Sequence, residues 1–368
     1  MIKVLFIAEN LSYGGAQKML TFVANNLDRN KFSVALLNEN SDVPIARPLN
    51  EDIEYYEHPK FTKKGIKRLH ELSQIIKTAR KAKADVIVSF LTLPNFLSSV
   101  AGRKLHIPVI ISERCDPSRI SGRLGRFFLW YERKNDGAVF QTEGAKRLYP
   151  EELQANSTVI PNPVVPVITS RPFEYKNTLR NIAMIGRLEN IQKRYDIAIK
   201  AISALRKRNI DVILNIYGSG KDEALIREII EAEQVCEHVI LHGRVDQPTE
   251  KLLENDIFLL TSDYEGIPNA LIEAMSLGIP CVSTDCSPGG AAMLIQHREN
   301  GLLANIGDSD SVANALETFI SNAELAKNCG EKSKEINQKY TPEKIRDMWN
   351  EYIETVVTVY KEQKNKNR

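Results

Sequence analysis

The chain of 368 residues has no run of about 18 uninterrupted apolar residues, so no membrane-spanning helix is expected. Its five cysteines (Cys115, Cys236, Cys281, Cys286, Cys329) form no CxxC and no metal-ligand spacing with histidine. An odd, scattered set reads as free thiols in a reducing cytosol. The opening segment, Met1-Ile-Lys-Val-Leu-Phe-Ile-Ala-Glu9, has too short an apolar run for a signal peptide and soon reaches an acid. Low-complexity tracts and short-period repeats are lacking too. The glycine-rich turn Asn10-Leu-Ser-Tyr-Gly14-Gly15-Ala-Gln-Lys18 lacks GxGxxG spacing, and no acidic residue follows a second strand where a dinucleotide site needs one. That argues against a nicotinamide-dependent dehydrogenase. A net charge of only +2 and no recognised binding motif argue against nucleic acid as a partner.

What is present is an ordinary globular composition, 43% hydrophobic and 26% charged, at a length comfortable for two domains. Short apolar runs alternate with helical patterns throughout. Strands are predicted at Lys3–Ala8, Phe32–Leu37, Asp85–Ser89, Pro108–Ser112, Gly137–Gln141 and Thr158–Ile160, then at Asn181–Ile185, Val212–Tyr217, Val239–Leu241, Ile257–Thr261 and Pro280–Thr284. Helical patterns between them include Ala16–Leu27, Gly65–Ala82 and Gly122–Arg133. Such alternation predicts parallel sheets covered on both faces. The prolines of Pro161-Asn-Pro-Val-Val-Pro166 forbid regular structure and mark a boundary. The expected architecture is therefore two Rossmann-like domains, residues 1–163 and 167–340, with a ligand cleft between them. A long helical pattern from Thr341, bounded at 342–368, would return to the first domain.

The most informative segment is Glu265-Gly266-Ile267-Pro268-Asn269-Ala270-Leu271-Ile272-Glu273, which joins the apolar run Ile257–Thr261 to a helical pattern. Pro268 suits a first helical turn, where its missing N–H costs nothing. Anions favour helix N-termini, so two carboxylates there imply a ligand that also offers hydroxyls, such as a sugar or ribose diol. Upstream, Gly186-Arg187-Leu-Glu-Asn-Ile-Gln-Lys193 follows a predicted strand and would cradle a pyrophosphate, Arg187 as a fork and Lys193 as a point charge. Alone, this segment reads equally as surface cations flanking a helix start. Tyr217-Gly218-Ser-Gly220 and Pro288-Gly289-Gly290 are further permissive turns, while Asp308-Ser-Asp310, a DxD, reads as a helix N-cap ahead of Val312–Ile320 rather than as a metal site.

Taken in order, Gly186-Arg187-Leu188…Lys193, Gly218-x-Gly220, Glu265-x7-Glu273-Ala-Met-x-x-Gly278-x-Pro280-x-Val282, Gly289-Gly290 and Asn300-Gly301-Leu302-Leu303 resemble glycosyltransferase family 4, the retaining nucleotide-sugar transferases of GT-B fold. The first domain resembles that family's bacterial surface-polysaccharide members through Gly14-Gly15, Ile111-Ser-Glu113-Arg114 and Ile160-Pro-Asn-Pro163. The resemblance implies that Arg187 and Lys193 hold the donor diphosphate, Glu273 the ribose diol and Glu265 the donor-sugar hydroxyls. Amides of Gly266, Ile267, Asn269 and Ala270 would add contacts, and Gly186, Gly218, Gly220, Gly14 and Gly15 would let backbone approach the donor. Two positions depart from the family pattern: Ala291-Ala292-Met293 where many members place an acid, and Ser89-Phe90-Leu91-Thr92 where many carry histidine. His106, His238, His242 and His297 read as ordinary loop or surface residues. No metal or other cofactor is expected, because the two cations and the helix N-terminus can stabilise the leaving group. The implied partners are a nucleotide-sugar donor, UDP first among them, and a glycan or lipid-linked glycan acceptor. A nucleotide-sugar epimerase and a non-catalytic nucleotide-sugar binder are the alternatives; the first would need acid/base groups around the sugar that the sparse histidines do not offer.

Charge is uneven. Residues 1–170 hold 24 Lys/Arg against 17 Asp/Glu, and the remainder 25 against 30. Lys60–Lys83 alone carries nine cations and one acid, Glu71, and Arg119–Tyr131 sets arginines beside Phe127, Phe128, Leu129, Trp130 and Tyr131. These stretches suit an anionic membrane surface. They suit equally a domain core that buries the aromatics under a solvated basic rim.

Overall fold

The computed structural model describes residues 1–12, 14–63, 65–114, 122–165 and 169–366. Its chain divides into two compact units, Met1–Asn162 together with Pro342–Arg368, and Pro163–Thr341.

The first unit holds seven strands, β1 (Ile2–Ala8), β2 (Phe32–Asn38), β3 (Glu54–Glu57), β4 (Val86–Phe90), β5 (Val109–Ser112), β6 (Gly137–Phe140) and β7 (Ser157–Val159). All pair in parallel, in the order β3-β2-β1-β4-β5-β6-β7. The second unit holds β8 (Asn181–Ile185), β9 (Ile213–Tyr217), β10 (Val239–Gly243), β11 (Ile257–Leu260), β12 (Cys281–Thr284) and β13 (Leu302–Ala304). These are also parallel, in the order β10-β9-β8-β11-β12-β13. The central strands are buried on both faces, as the continuous apolar runs of β1, β4 and β11 require. In each sheet the order reverses once, between β1 and β4 and between β8 and β11. The crevice beyond the carboxyl ends of such a pair is where doubly wound sheets bind ligands.

Register is set by a device used three times. Asp85, Asp136 and Asp256 stand just before β4, β6 and β11, and each carboxylate accepts a backbone N–H from the start of the neighbouring strand: Lys3 at 2.8 Å, Val109 at 3.0 Å and Asn181 at 2.8 Å. A one-residue slip of any of these pairs would lose its bond and turn that strand's side chains to the opposite face.

The helix Pro342–Lys366 belongs to the first unit because its apolar side fits there. Trp349 is fully buried and stacks on Phe90, with ring centroids 5.9 Å apart. Tyr352 Oη accepts from the Ala138 amide and donates to the Asn156 carbonyl. β3 and β13 were not expected from the sequence. Both are short edge strands, one with charged ends (Glu54, Glu57) and one of three residues, too brief to show a period. Among the described residues no helix is long and apolar enough to cross a membrane. Of the cysteines, Cys236, Cys281, Cys286 and Cys329 are free thiols; Cys115 lies outside the described residues.

Candidate functional site

In the second unit, β8 runs into Gly186-Arg187 and β11 into Thr261–Glu265, so both charged segments emerge at the point where the strand order reverses. Lys193 ends a one-turn helix, Asn190–Lys193, and its Nζ lies 2.5 Å from Glu265 Oε1. Ser262 Oγ donates to the same oxygen at 2.8 Å, and among the described residues nothing donates to Oε2. The carboxylate is thus oriented by two donors on one oxygen and presents the other. Arg187 differs: its side chain is 74% exposed and, among the described residues, forms one ion pair, with Glu189 at 3.6 Å, so it can swing onto an anion without breaking a buried pair.

A fixed network supports this pair. Arg194, in the left-handed region at φ 51°, forks onto Asp196 (2.9 and 3.0 Å) and reaches both oxygens of Asp263 (2.8 and 3.1 Å). These bonds to Asp196 and Asp263 raise the Arg194 pKa. Burial alone would favour the neutral acid at Asp196, yet Arg194 holds its carboxyl below the ordinary range. Thr261 Oγ1 donates to the carbonyls of Lys193 and Arg194, and Gln192 Nε2 to that of Tyr264. The loop after β11 is thereby tied to the segment after β8, and Lys193 and Glu265 are positioned together. The sequence reading missed Arg194, Asp263, Ser262 and Thr261. Their only signal was Arg194-Tyr-Asp196, too short to read without knowing that β8 and β11 are neighbours.

The helix carrying Glu273 spans Asn269–Leu277. Pro268 is its N-cap rather than its first helical residue, and its carbonyl accepts from the Ile272 amide at 3.1 Å. Glu273 is half-buried on the first turns of this helix. Ile267 points into the core, so only its backbone is available to a ligand, and Ala270 also packs against that core. The glycine turns answer to close packing. At Gly218, φ is 150°, and a Cβ would sit 1.8 Å from the Gly186 carbonyl oxygen. At Gly290 it would sit 1.7 Å from the carbonyl oxygen of Gly266, in the glutamate loop itself. Gly220 presses in the same way on Leu188. These glycines hold neighbouring loops at contact distance; Gly186 is less constrained.

Gly14 and Gly15 lie in the first unit, at the N-terminus of the helix Gly15–Asn26 that follows β1. Asp308 is an N-cap, its side chain accepting from the Ser311 amide at 2.9 Å. Three of the histidines have structural partners: His242 stacks on Tyr217 and bonds Asn215, His238 meets Asp211, and His297 accepts from the Leu303 amide. Where the family pattern has a histidine, Ser89 donates instead to buried Asn95 at 2.8 Å. No group of three or more potential metal ligands occurs among the described residues.

The aromatic segment of the first unit divides between both readings offered above. Phe128 and Tyr131 pack on Phe96, with centroids 4.3 and 5.3 Å apart, while Leu124, Phe127 and Trp130 are 65%, 46% and 53% exposed. Arg119 lies outside the described residues.

Residues 169–336, most of the second unit, match the family model described as glycosyl transferases group 1. An uncharacterized glycosyltransferase of Haemophilus influenzae is 28% identical over 360 residues, 95% of this chain and 99% of the relative. The GalNAc-α-(1→4)-GalNAc-α-(1→3)-diNAcBac-PP-undecaprenol α-1,4-N-acetyl-D-galactosaminyltransferase of Campylobacter jejuni is 24% identical over 364 residues, 97% of this chain and 99% of that one. Among solved structures, the apo lipopolysaccharide outer core galactosyltransferase WaaB superposes with a TM-score of 0.81 at 20% identity, over 96% of this chain and 99% of that one. The fold is GT-B, two Rossmann-like α/β units with parallel sheets.

Proposed function

We propose that the protein is a retaining, metal-independent glycosyltransferase that moves a hexose-type sugar from a nucleotide diphosphate sugar to a glycan or lipid-linked glycan, in bacterial surface polysaccharide synthesis. The observation that carries this reading is the charged cluster where β8 and β11 diverge: exposed Arg187, Lys193 on Glu265 at 2.5 Å, and Glu273 on the adjoining helix. Charge builds on the departing diphosphate as the glycosidic bond breaks. Arg187 and Lys193 are suited to meet it by preorganised electrostatics, and the N-terminus of the Asn269–Leu277 helix adds to them. Glu265, oriented through one oxygen, has the other for a donor-sugar hydroxyl; Glu273 would take the ribose diol. Retention is read as a front-face substitution in which the departing phosphate oxygen removes the acceptor proton. UDP as the nucleotide rests on the family resemblance alone, and the lipid-linked acceptor draws on the name of the Campylobacter relative.

Arg187→Ala should lower turnover of a UDP-sugar, read as UDP release, by about tenfold or more. Unchanged turnover would end the leaving-group role of Arg187.

The same reading places the first unit against the inner face of the cell membrane. On the helix Gly122–Glu132, exposed Leu124, Phe127 and Trp130 adjoin Arg123 and Arg126. The basic helix Lys67–Lys81, with Leu69 exposed, packs on the helix Thr92–Leu105, which in turn packs on Gly122–Glu132. Apolar side chains beside cations are what an anionic bilayer attracts. Vesicles rich in anionic lipid should retain the protein at low salt, and failure to do so would remove the membrane from this account.

A further inference from the structure

Arg194 sits where two helices meet. It closes the one-turn helix Asn190–Lys193, its amide donating to the Asn190 carbonyl at 3.0 Å, and it opens the helix Tyr195–Lys207. Between them its own backbone is left-handed, φ 51° and ψ 50°, a conformation that glycine adopts freely and arginine does not. Were residue 194 right-handed, the two would run on as one helix, and Lys193 would leave it in another direction. The break is therefore what turns Lys193 toward Glu265, and a strained break persists only where its surroundings hold it.

The side chain of the same residue does the holding. Nε and Nη2 bond the two oxygens of Asp196, inside the second helix, and Nη1 bonds both oxygens of Asp263, on the loop after β11. All three nitrogens are engaged, so this guanidinium, unlike that of Arg187, is not free to grip an anion. Asp263 is fixed on both sides in turn: its amide donates to the Gln192 carbonyl at 2.9 Å, and its carbonyl accepts at 3.1 Å from the amide of Ser287, on the loop after β12. A Cβ on Gly307, after β13, would lie 3.8 Å from Nη1. One guanidinium thus stands against the loops after β8, β11 and β13, and reaches the loop after β12 through Asp263. A lysine, a single point charge, could not bond two carboxylates on separate elements in fixed directions.

We propose that Arg194 is a positioning residue for the transfer: without touching the donor it holds the strained turn, and so sets Lys193 against Glu265 and toward the diphosphate. The direction toward the diphosphate rests on the transferase reading; the control of the Lys193–Glu265 pair does not.

One readout needs no donor. Acetylation by a limiting amount of an active ester, followed by mass spectrometry, reports how well each lysine amine is protected. Lys193, 17% exposed and bonded to Glu265, should react about threefold faster or more in Arg194→Gly, a substitution the backbone accepts at φ 51°, while exposed Lys207 should be unchanged. The second readout is UDP-sugar turnover, as UDP release, in a double-mutant cycle. Arg194→Gly should lower kcat about tenfold or more when Lys193 is present and less than about twofold in the Lys193→Ala background, with KM moving less than kcat. A residue that merely supported the fold would cost the same in both backgrounds. Asp263→Asn, which weakens the same bridge from its other end, should move both readouts in the same direction, and it decides alone if Arg194→Gly does not fold. Unchanged labelling of Lys193, or an equal loss of kcat in both backgrounds, would overturn the proposal. A wild type that turns over no UDP-sugar would contradict the transferase reading, and the labelling would then decide the role of Arg194.

Discussion

The two units share one sheet topology and use its carboxyl edge in opposite ways. At β8/β11 nearly every charge is partnered: Lys193 with Glu265, Arg194 with Asp196 and Asp263. Arg187, by contrast, is 74% exposed. At the β1–β3 edge Glu71 is paired with Lys67 and Arg68, while Glu39 and Asn40 each bury an oxygen without a hydrogen-bond partner. A prepaired charged site suits an anion that must be gripped while its charge changes. The two edges therefore differ in electrostatic pairing where their backbones do not.

Substitutions can break this contrast, and the largest effect is expected at Lys193. Lys193→Ala removes the half-buried point charge and leaves Glu265 with Ser262 alone; UDP-sugar turnover should fall by about 10²–10³. Steady-state kinetics would check this, and a loss under threefold would move the burden wholly to Arg187. Next is Gly218→Ala, whose Cβ would meet the Gly186 carbonyl at 1.8 Å in a backbone conformation foreign to alanine. It should cost about 1–3 kcal/mol or more in denaturant unfolding and weaken nucleotide binding with it.

A smaller effect sharpens the first unit's side. Glu39 titrates near 4.5 when unfolded and about 8 when folded. Between those values the folded state holds the proton and the unfolded state does not, so stability declines as pH rises from about 5 to about 8. Glu39→Gln should flatten that part of the stability–pH curve. Parallel curves for the two proteins would refute the raised pKa. The smallest effect is at the exposed aromatics: Trp130→Ser should change stability by less than about 0.5 kcal/mol yet weaken retention on anionic vesicles at low salt.

How far the sequence reaches differs between the units for the same reason. The second unit was legible because its site is local in the chain: each charged segment directly follows a strand, and Gly218 and Gly290 stand where loops touch. The Arg194–Asp263 tie was not legible, since it joins residues 69 apart across neighbouring strands. In the first unit the central strands were read correctly, but β3 was missed because an edge strand with charged ends shows no burial pattern. The buried oxygens of Glu39 and Asn40 escaped altogether, since nothing in Glu39-Asn40 itself distinguishes it from a surface turn. The basic and aromatic stretches were visible, but which face of Gly122–Glu132 turned outward was settled by Phe96, which packs on Phe128 and Tyr131 and on one edge of a still exposed Phe127, leaving Trp130 outside.

The central claim, a metal-free nucleotide diphosphate site where β8 and β11 diverge, is tested most directly by calorimetric titration of UDP, GDP and ADP in the presence of EDTA, on the wild type and on Glu273→Ala. The account predicts binding of one nucleotide, UDP, weakened about tenfold or more in the variant, the loss of one well-made bond to a charged group. Absence of binding by any nucleotide, or equal binding by wild type and Glu273→Ala, would contradict it.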